Sequence, residues 1–351
     1  MYGIKLLFSV SCLPNYNINS LNSSYDKVTY EKKRFLMFSK KHLSLFLLCL
    51  LLSFFLLPDI SFLGARNGVF LWIKIVIPSL FPFLLVSTCL LHLNLISCLT
   101  PVLSPFFCKI FGCSKNGCYP ILIGLLSGYP MGAKACADLV KKGDITKDEG
   151  QYLLGFVNNA SPMFITSYLT CQSLQIPEYR YLFYFMILCS SYMVCLLYRF
   201  FHSHEKNSAS QNTLVFCDEK LSSFSVSRAL DCSISDSFRT ITKIGGYVIL
   251  FSLLGQLALS LPEQLGIFRY FIICCLEITS AVNQIAISDF SLKLKIILAL
   301  STTALGGLSG IFQTHSVIAS SGLSLKKYCI TKLLQTLFLI ILLCAFLVVF
   351  C

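Results

Sequence analysis

The chain has 351 residues, of which 56% are hydrophobic and 13% charged, with a mean hydropathy of +0.75. That balance excludes an ordinary soluble globular domain. The net charge of +12 does not point to nucleic acid, because the basic residues fall in short clusters between apolar runs, as the positive-inside bias produces.

Runs free of Asp, Glu, Lys and Arg recur at 43–58, 75–108, 116–133, 150–177, 181–198, 244–262, 296–325 and 333–351. A helix needs about 20 residues to cross the hydrocarbon core, so several of these can span. The expected fold is all-α: a polytopic transmembrane helical bundle, built from two related repeats with broken or re-entrant helices. The lipid bilayer is the one partner that composition establishes.

Residues 1–36 read as a disordered tail or a mis-assigned start, with Met37 resembling a natural beginning. Lys32, Lys33, Arg34, Lys40 and Lys41 precede the first apolar run, which places the N-terminal side in the cytoplasm. The first repeat is expected over 37–200. It opens with helices at 42–57 and 68–93, and Pro101 and Pro105 interrupt the segment 95–111. A glycine-rich segment follows at 118–140. Thr146 with Glu149 three residues on gives a capping-box signature for an amphipathic helix running to Phe156. Residues 201–238 are Ser-rich and mixed in charge, and read as an exposed polar linker. The second repeat is expected over 239–351, with apolar elements at 240–260, 266–287, 296–320 and 328–350. Gly124-Leu125-Leu126-Ser127-Gly128 is echoed by Gly306-Gly307-Leu308-Ser309-Gly310 in the second half.

The 18 cysteines do not form a disulfide framework, since most lie within apolar runs (Cys49, Cys89, Cys189, Cys195, Cys344), where a thiol behaves as a small hydrophobe. Cys113 and Cys118 flank a Gly-bearing turn without a His or third Cys in a metal-ligand pattern. No metal and no cofactor is expected.

The candidate site lies between Gly124 and Pro162. In a bilayer, non-helical backbone is tolerated only where protein buries it or where it lines a wet cavity, and transporters bind solutes at such broken segments. Gly124, Gly128 and Gly132, four apart, suit close helix packing. Pro130 breaks the ladder at Leu126 and offers Ser127, Tyr129 and the freed backbone to a solute. The packing and binding readings are compatible. Asn158-Asn159-Ala160-Ser161-Pro162 is a second break, either a helix end at the water interface or an unwound point inside the protein, and the continuing charge-free run favours the latter.

Glu277 stands alone among apolar residues, and an ionisable group in a membrane segment is a functional candidate; proton coupling and a structural pairing are both open to it. Thr279 lies beside it, and Gln313 and His315 follow the second glycine cluster. Lys134 and Asp138, at i and i+4, form a helix-surface pair or, if buried, a gate or an anion contact. No His-Glu-x-x-His, P-loop or nucleophile elbow is present, so the chain is not expected to be an enzyme.

These residues carry a resemblance. Pro78–Phe83, Leu126–Lys134, Asn158–Ile165, Glu277–Thr279, and Gly306–Ser309 with Gln313 resemble the YlbJ-type sporulation integral membrane proteins, which carry the nucleoside recognition or Gate domain. Ser280 and Ala281 stand where that family usually has a glycine. The resemblance implies a permease-like transporter of endospore formation, in the cell membrane or the membrane surrounding the forespore. Its implied cargo is a small anionic solute such as dipicolinate, held by Ser127, Gly128, Tyr129, Pro130, Lys134, Asn158, Asn159, Ser161, Glu277, Thr279 and Gln313. A homo-oligomer or sporulation membrane partners are compatible with it. The alternative is a non-transporting scaffold for assembly of the spore envelope.

Overall fold

The computed structural model describes residues 41–350 except 43, 94, 202–222, 263 and 265. The tail expected over 1–36 and most of the linker expected over 201–238 lie outside the described residues.

Residues to Pro58 form one unit, described by helix α1 (Ser44–Leu56), which exposes Leu51, Phe55 and Leu56 as a helix in lipid would. Asp59–Cys351 form the second unit. No strand occurs among the described residues. Helix α2 (Pro58–Leu71) starts with Pro58 in its first turn, where the missing N–H removes no helical bond. It continues through a π-helical turn (Trp72–Val76) into α3 (Ile77–His92). Then come α4 (Ile96–Phe111), α5 (Cys118–Ser127), α6 (Met131–Lys142) and α7 (Lys147–Val157). A π-helical segment (Phe164–Ser173) leads to α8 (Arg180–Phe201). The second half holds α9 (Ser223–Leu259), α10 (Gly266–Leu276), α11 (Ile278–Ile287), α12 (Leu292–Leu305), α13 (Gly307–Ile318) and α14 (Leu325–Phe350).

Among the described residues, four stretches are long and apolar enough to cross a bilayer: Pro177–Phe200, Val226–Leu259, Leu292–Ile318 and Leu325–Val348. Ser44–Leu56 with Pro58–Val76 gives a fifth when counted as one broken span. The stripe Ile330, Leu333, Leu337, Ile341 and Val348 on α14 is exposed and uniformly apolar, the face a helix presents to lipid.

Three expectations are corrected. Pro101 and Pro105 lie inside a continuous α4 and do not interrupt it. Residues 223–238 are not exposed linker but the first turns of α9, where Ser233 and Ser237 are fully buried. Thr88 Oγ1 bonds Ser237 Oγ at 3.1 Å, and His92 meets Asp236 at 3.0 Å, so the polar residues that suggested a linker are spent on contacts with α3. The apolar segment 266–287 is two helices that part at Glu277, not one. The helix starts as expected, with half of the capping box formed: Thr146 Oγ1 accepts from the N–H of Glu149 at 3.2 Å, while the Glu149 carboxylate accepts from the N–H of Ser114 instead.

The core has two main apolar clusters. One gathers α3 to α7 with α9, around Leu84, Ile121, Met131, Leu139 and Leu153. The other joins α8, the π-helical segment, α11, α12 and α14, around Leu169, Phe183, Ile187, Leu300 and Leu339. The candidate site draws on residues next to both.

Candidate functional site: a cavity where helix breaks meet

Helix α5 ends because Gly128 adopts φ 76°, a left-handed conformation that favours glycine. A Cβ there would strike the backbone of Ala160 and Ser161, so the position also needs glycine for space. A Cβ on either Gly124 or Gly132 would collide with the same Val157 carbonyl oxygen. Eight residues of straight helix would hold these two about 12 Å apart. The chain therefore turns back at Gly128, and α5 and α6 form a re-entrant hairpin clasped on the end of α7. The Tyr129–Pro130 peptide is cis. The N–H of Tyr129 donates to the Asn159 carbonyl at 2.5 Å, and Asn158 Oδ1 accepts from the N–H of Ala133 at 3.4 Å. Backbone freed at one break is thus satisfied at the other, as burial in a membrane requires.

The second half has its own pair of breaks. Glu277, 4% exposed, takes an extended conformation (φ −150°) and caps α11: its Oε1 accepts from the N–H of Thr279 at 2.9 Å and its Oε2 from that of Ser280 at 2.7 Å. The isolated carboxylate is compensated by a helix N-terminus, and no cation pairs with it among the described residues. Gly306, at φ 83°, ends α12 and begins α13 with no side-chain cap. The first N–H groups of α13 are left open.

All four breaks line one cavity of about 240 Å³. Tyr129 comes from the first break and Ala160 and Ser161 from the second. Glu277, Ile278 and Thr279 come from the third, and Gly306, Ser309, Gly310 and Gln313 from the fourth. Both π-helical stretches add to the wall, through Lys74, Ile75 and Val76 on one side and Phe164, Ser167, Tyr168 and Gln172 on the other. Such stretches occur frequently at functional sites. The Tyr129 ring lies against Gly310, bringing the two halves together, and its hydroxyl is buried without a hydrogen-bond partner among the described residues. Lys74 has no ion-pair partner among the described residues. Gln313 Nε2 donates to Ser309 Oγ at 3.0 Å, which leaves the second N–H of the amide for a solute.

Of the residues singled out from the sequence, Tyr129, Ser161, Glu277, Thr279 and Gln313 meet at this cavity. The others do not line it. Lys134 pairs with Asp138 at 2.6 Å in a separate cleft beside Tyr119 and Ser87. Ser127 is fully buried and its hydroxyl has no partner. Gly128 and Pro130 shape the hairpin turn.

Asn158 and Asn159 serve a buried polar network instead. Asn158 Nδ2 donates to Thr314 Oγ1 and to the Tyr328 hydroxyl, both at 2.9 Å. Asn159 Oδ1 accepts from Lys332 Nζ at 3.0 Å and from Gln335 Nε2 at 2.8 Å, and its Nδ2 donates to Ser191 Oγ at 3.1 Å. Lys332 is 1% exposed, and its ammonium group donates to the amide oxygens of Asn159 and Gln335. Lys74, Tyr168, Gln172 and Lys332 were missed. In the sequence Lys332 is the third lysine at the start of the last apolar helix, after Lys326 and Lys327, and nothing there distinguishes it from a residue at the membrane edge.

The chain is 24% identical to the sporulation integral membrane protein YlbJ of Bacillus subtilis (strain 168) over 307 residues, 79% of this chain and 75% of that protein. The match supports a YlbJ-type assignment. No protein-family model and no solved structure matches the chain. The likeness to an integral membrane protein and the apolar helices agree with a multi-pass membrane protein.

Proposed function

We propose that this protein acts in a membrane of the sporulating cell as a permease-like carrier, and that its cargo is a small anion held in the cavity where the four breaks meet. The observation that carries this is the convergence of broken backbone from both halves on one space. A membrane protein that only needed to pack has no reason to place such costly backbone around a void. The volume is just under the about 300–1,000 Å³ usual for ligand pockets, which suits a solute of one small ring. An anion is favoured by the open N-terminus of α13, by Lys74 at the wall, and by hydroxyl and amide donors on Tyr129, Ser161, Thr279 and Gln313. Glu277 does not oppose this, because the N-terminus of α11 already compensates its charge. Dipicolinate, a planar aromatic dicarboxylate, is the specific candidate that the family likeness brings.

Orientation follows from charge. Hydrogen bonds from Arg199 to Ile110, Asn116 to Asp144, Lys142 to Leu91, and between Gln151 and Ser324 bring one set of helix ends together. That end also carries Lys109, Lys115, Lys141, Lys326 and Lys327, so it faces the cytoplasm.

Proteoliposomes holding the purified chain test the proposal against a scaffold role. Uptake of dipicolinate above protein-free vesicles, with little uptake of nucleosides or chloride, is expected. Absence of uptake for every solute, from protein that remains folded, would favour the scaffold.

A further inference from the structure

Three sulfur atoms meet where α4 passes into α5. Cys108 sits in the last turn of α4, Cys113 in the connecting turn, and Cys118 at the first position of α5. The Sγ of Cys118 lies 3.6 Å from that of Cys108 and 3.9 Å from that of Cys113, and all three sulfurs lie within 4.8 Å of one another. A tetrahedral ion with bonds of about 2.3 Å to sulfur needs its ligands about 3.8 Å apart. These separations are too long for a disulfide of about 2.0 Å, and the cysteines are free thiols.

The turn is held in this shape by groups other than the sulfurs. Gly112, at φ 64°, reverses the chain so that Cys108 and Cys113 face each other. Glu149 Oε1 accepts from the N–H of Ser114 at 2.6 Å, and the N–H of Gly117 donates to Ser114 Oγ at 3.1 Å. The Tyr152 hydroxyl donates to the Phe111 carbonyl, and Arg199 Nη1 donates to that of Ile110 at 3.0 Å. Cys118 also stands at a helix N-terminus, where negative charge on sulfur is favoured. Cys108 and Cys113 are only half-buried, so an ion can reach the site.

We propose that Cys108, Cys113 and Cys118 bind one thiophilic divalent cation of the zinc class, with the fourth position open to water. The three thiols lose their protons to solvent as the ion binds. The site ties α4 to α5 and, through Glu149, to α7. It does not depend on the transport reading. Cys113 and Cys118 were visible as a spaced pair, but the third ligand was hidden in the apolar run that ends at Cys108.

Cobalt titration of the reduced, chelator-stripped full chain in detergent tests this. One equivalent of Co²⁺ should give thiolate-to-cobalt charge-transfer absorption that Zn²⁺ removes. C113S and C108S should each lose that absorption, while C136S, which alters a buried cysteine elsewhere, should keep it. Should C113S fail to fold, the wild-type chain still decides: Zn²⁺ should protect Cys108 and Cys113 from maleimide, read by peptide mass spectrometry. A folded wild-type chain with no cobalt band, a band that survives in C113S, or absence of zinc protection would each overturn the site.

Discussion

The backbone N–H of Tyr129 donates to the carbonyl of Asn159 at 2.5 Å, so the hairpin turn between α5 and α6 is closed by the chain that leaves α7. Neither break could stand alone in lipid. Together they bury each other's polar backbone and leave Tyr129 and Ser161 among the residues that line the cavity.

Gly128 and Gly306, both at positive φ, should respond differently to alanine. Gly306 at φ 83° has open space around it, so Gly306→Ala should cost only the strain of a left-handed residue, about 1–2 kcal/mol. Gly128→Ala adds a collision with the Ser161 backbone and should cost clearly more. Thermal unfolding of the two variants in detergent, side by side, reads the difference; equal losses would mean that Gly128 is not clasped.

Tyr129→Phe removes a hydroxyl that bonds nothing among the described residues, so stability should hold or rise slightly. If the hydroxyl serves a solute, affinity should fall by about tenfold, the worth of one hydrogen bond of about 1.4 kcal/mol. Gln313→Ala should behave alike, with normal abundance in membranes. Loss of abundance in both would make them packing residues.

The Asn159 network is structural and should behave as one unit. Asn159→Ala strands Lys332 with Gln335 alone and should lower stability by about 2–3 kcal/mol. Much of that loss should vanish in a Lys332→Met background, because the buried charge is then gone. A double-mutant cycle measures the coupling, and additive losses would contradict it.

Lys134→Ala should leave solute binding unchanged. Its ion pair with Asp138 is partly exposed and lies in a cleft apart from the cavity, so a stability change of about 0–1 kcal/mol is expected. Impaired binding with intact folding would return Lys134 to the site.

Much of the architecture was legible in the sequence because the bilayer imposes long apolar runs, and because glycine, proline and paired amides mark the points where helices stop. Gly128, Pro130 and Asn158 announced the first two breaks in this way. The direction of the chain after Gly128 was not legible, since a turn back and a kink share the same residues. Glu277 showed as an isolated charge but not as a helix cap, because capping depends on the extended backbone at that one residue. The site was half legible. A side chain's distance from a void is set by which helix face packs inward, and Asn158 and Asn159 face the interior of α13 and α14, while Ser161, two residues on, faces the cavity.

Binding itself tests the central claim most directly. Equilibrium dialysis of labelled dipicolinate against the purified chain should show one saturable site. Trp72, the single tryptophan, stands in the π-helical turn whose Lys74, Ile75 and Val76 line the cavity, and its fluorescence should report the same occupancy through that turn. The account predicts binding that weakens about tenfold in Tyr129→Phe and Gln313→Ala and persists in Lys134→Ala. Saturable binding that all three variants leave untouched would contradict it, as would no binding by a folded wild-type chain.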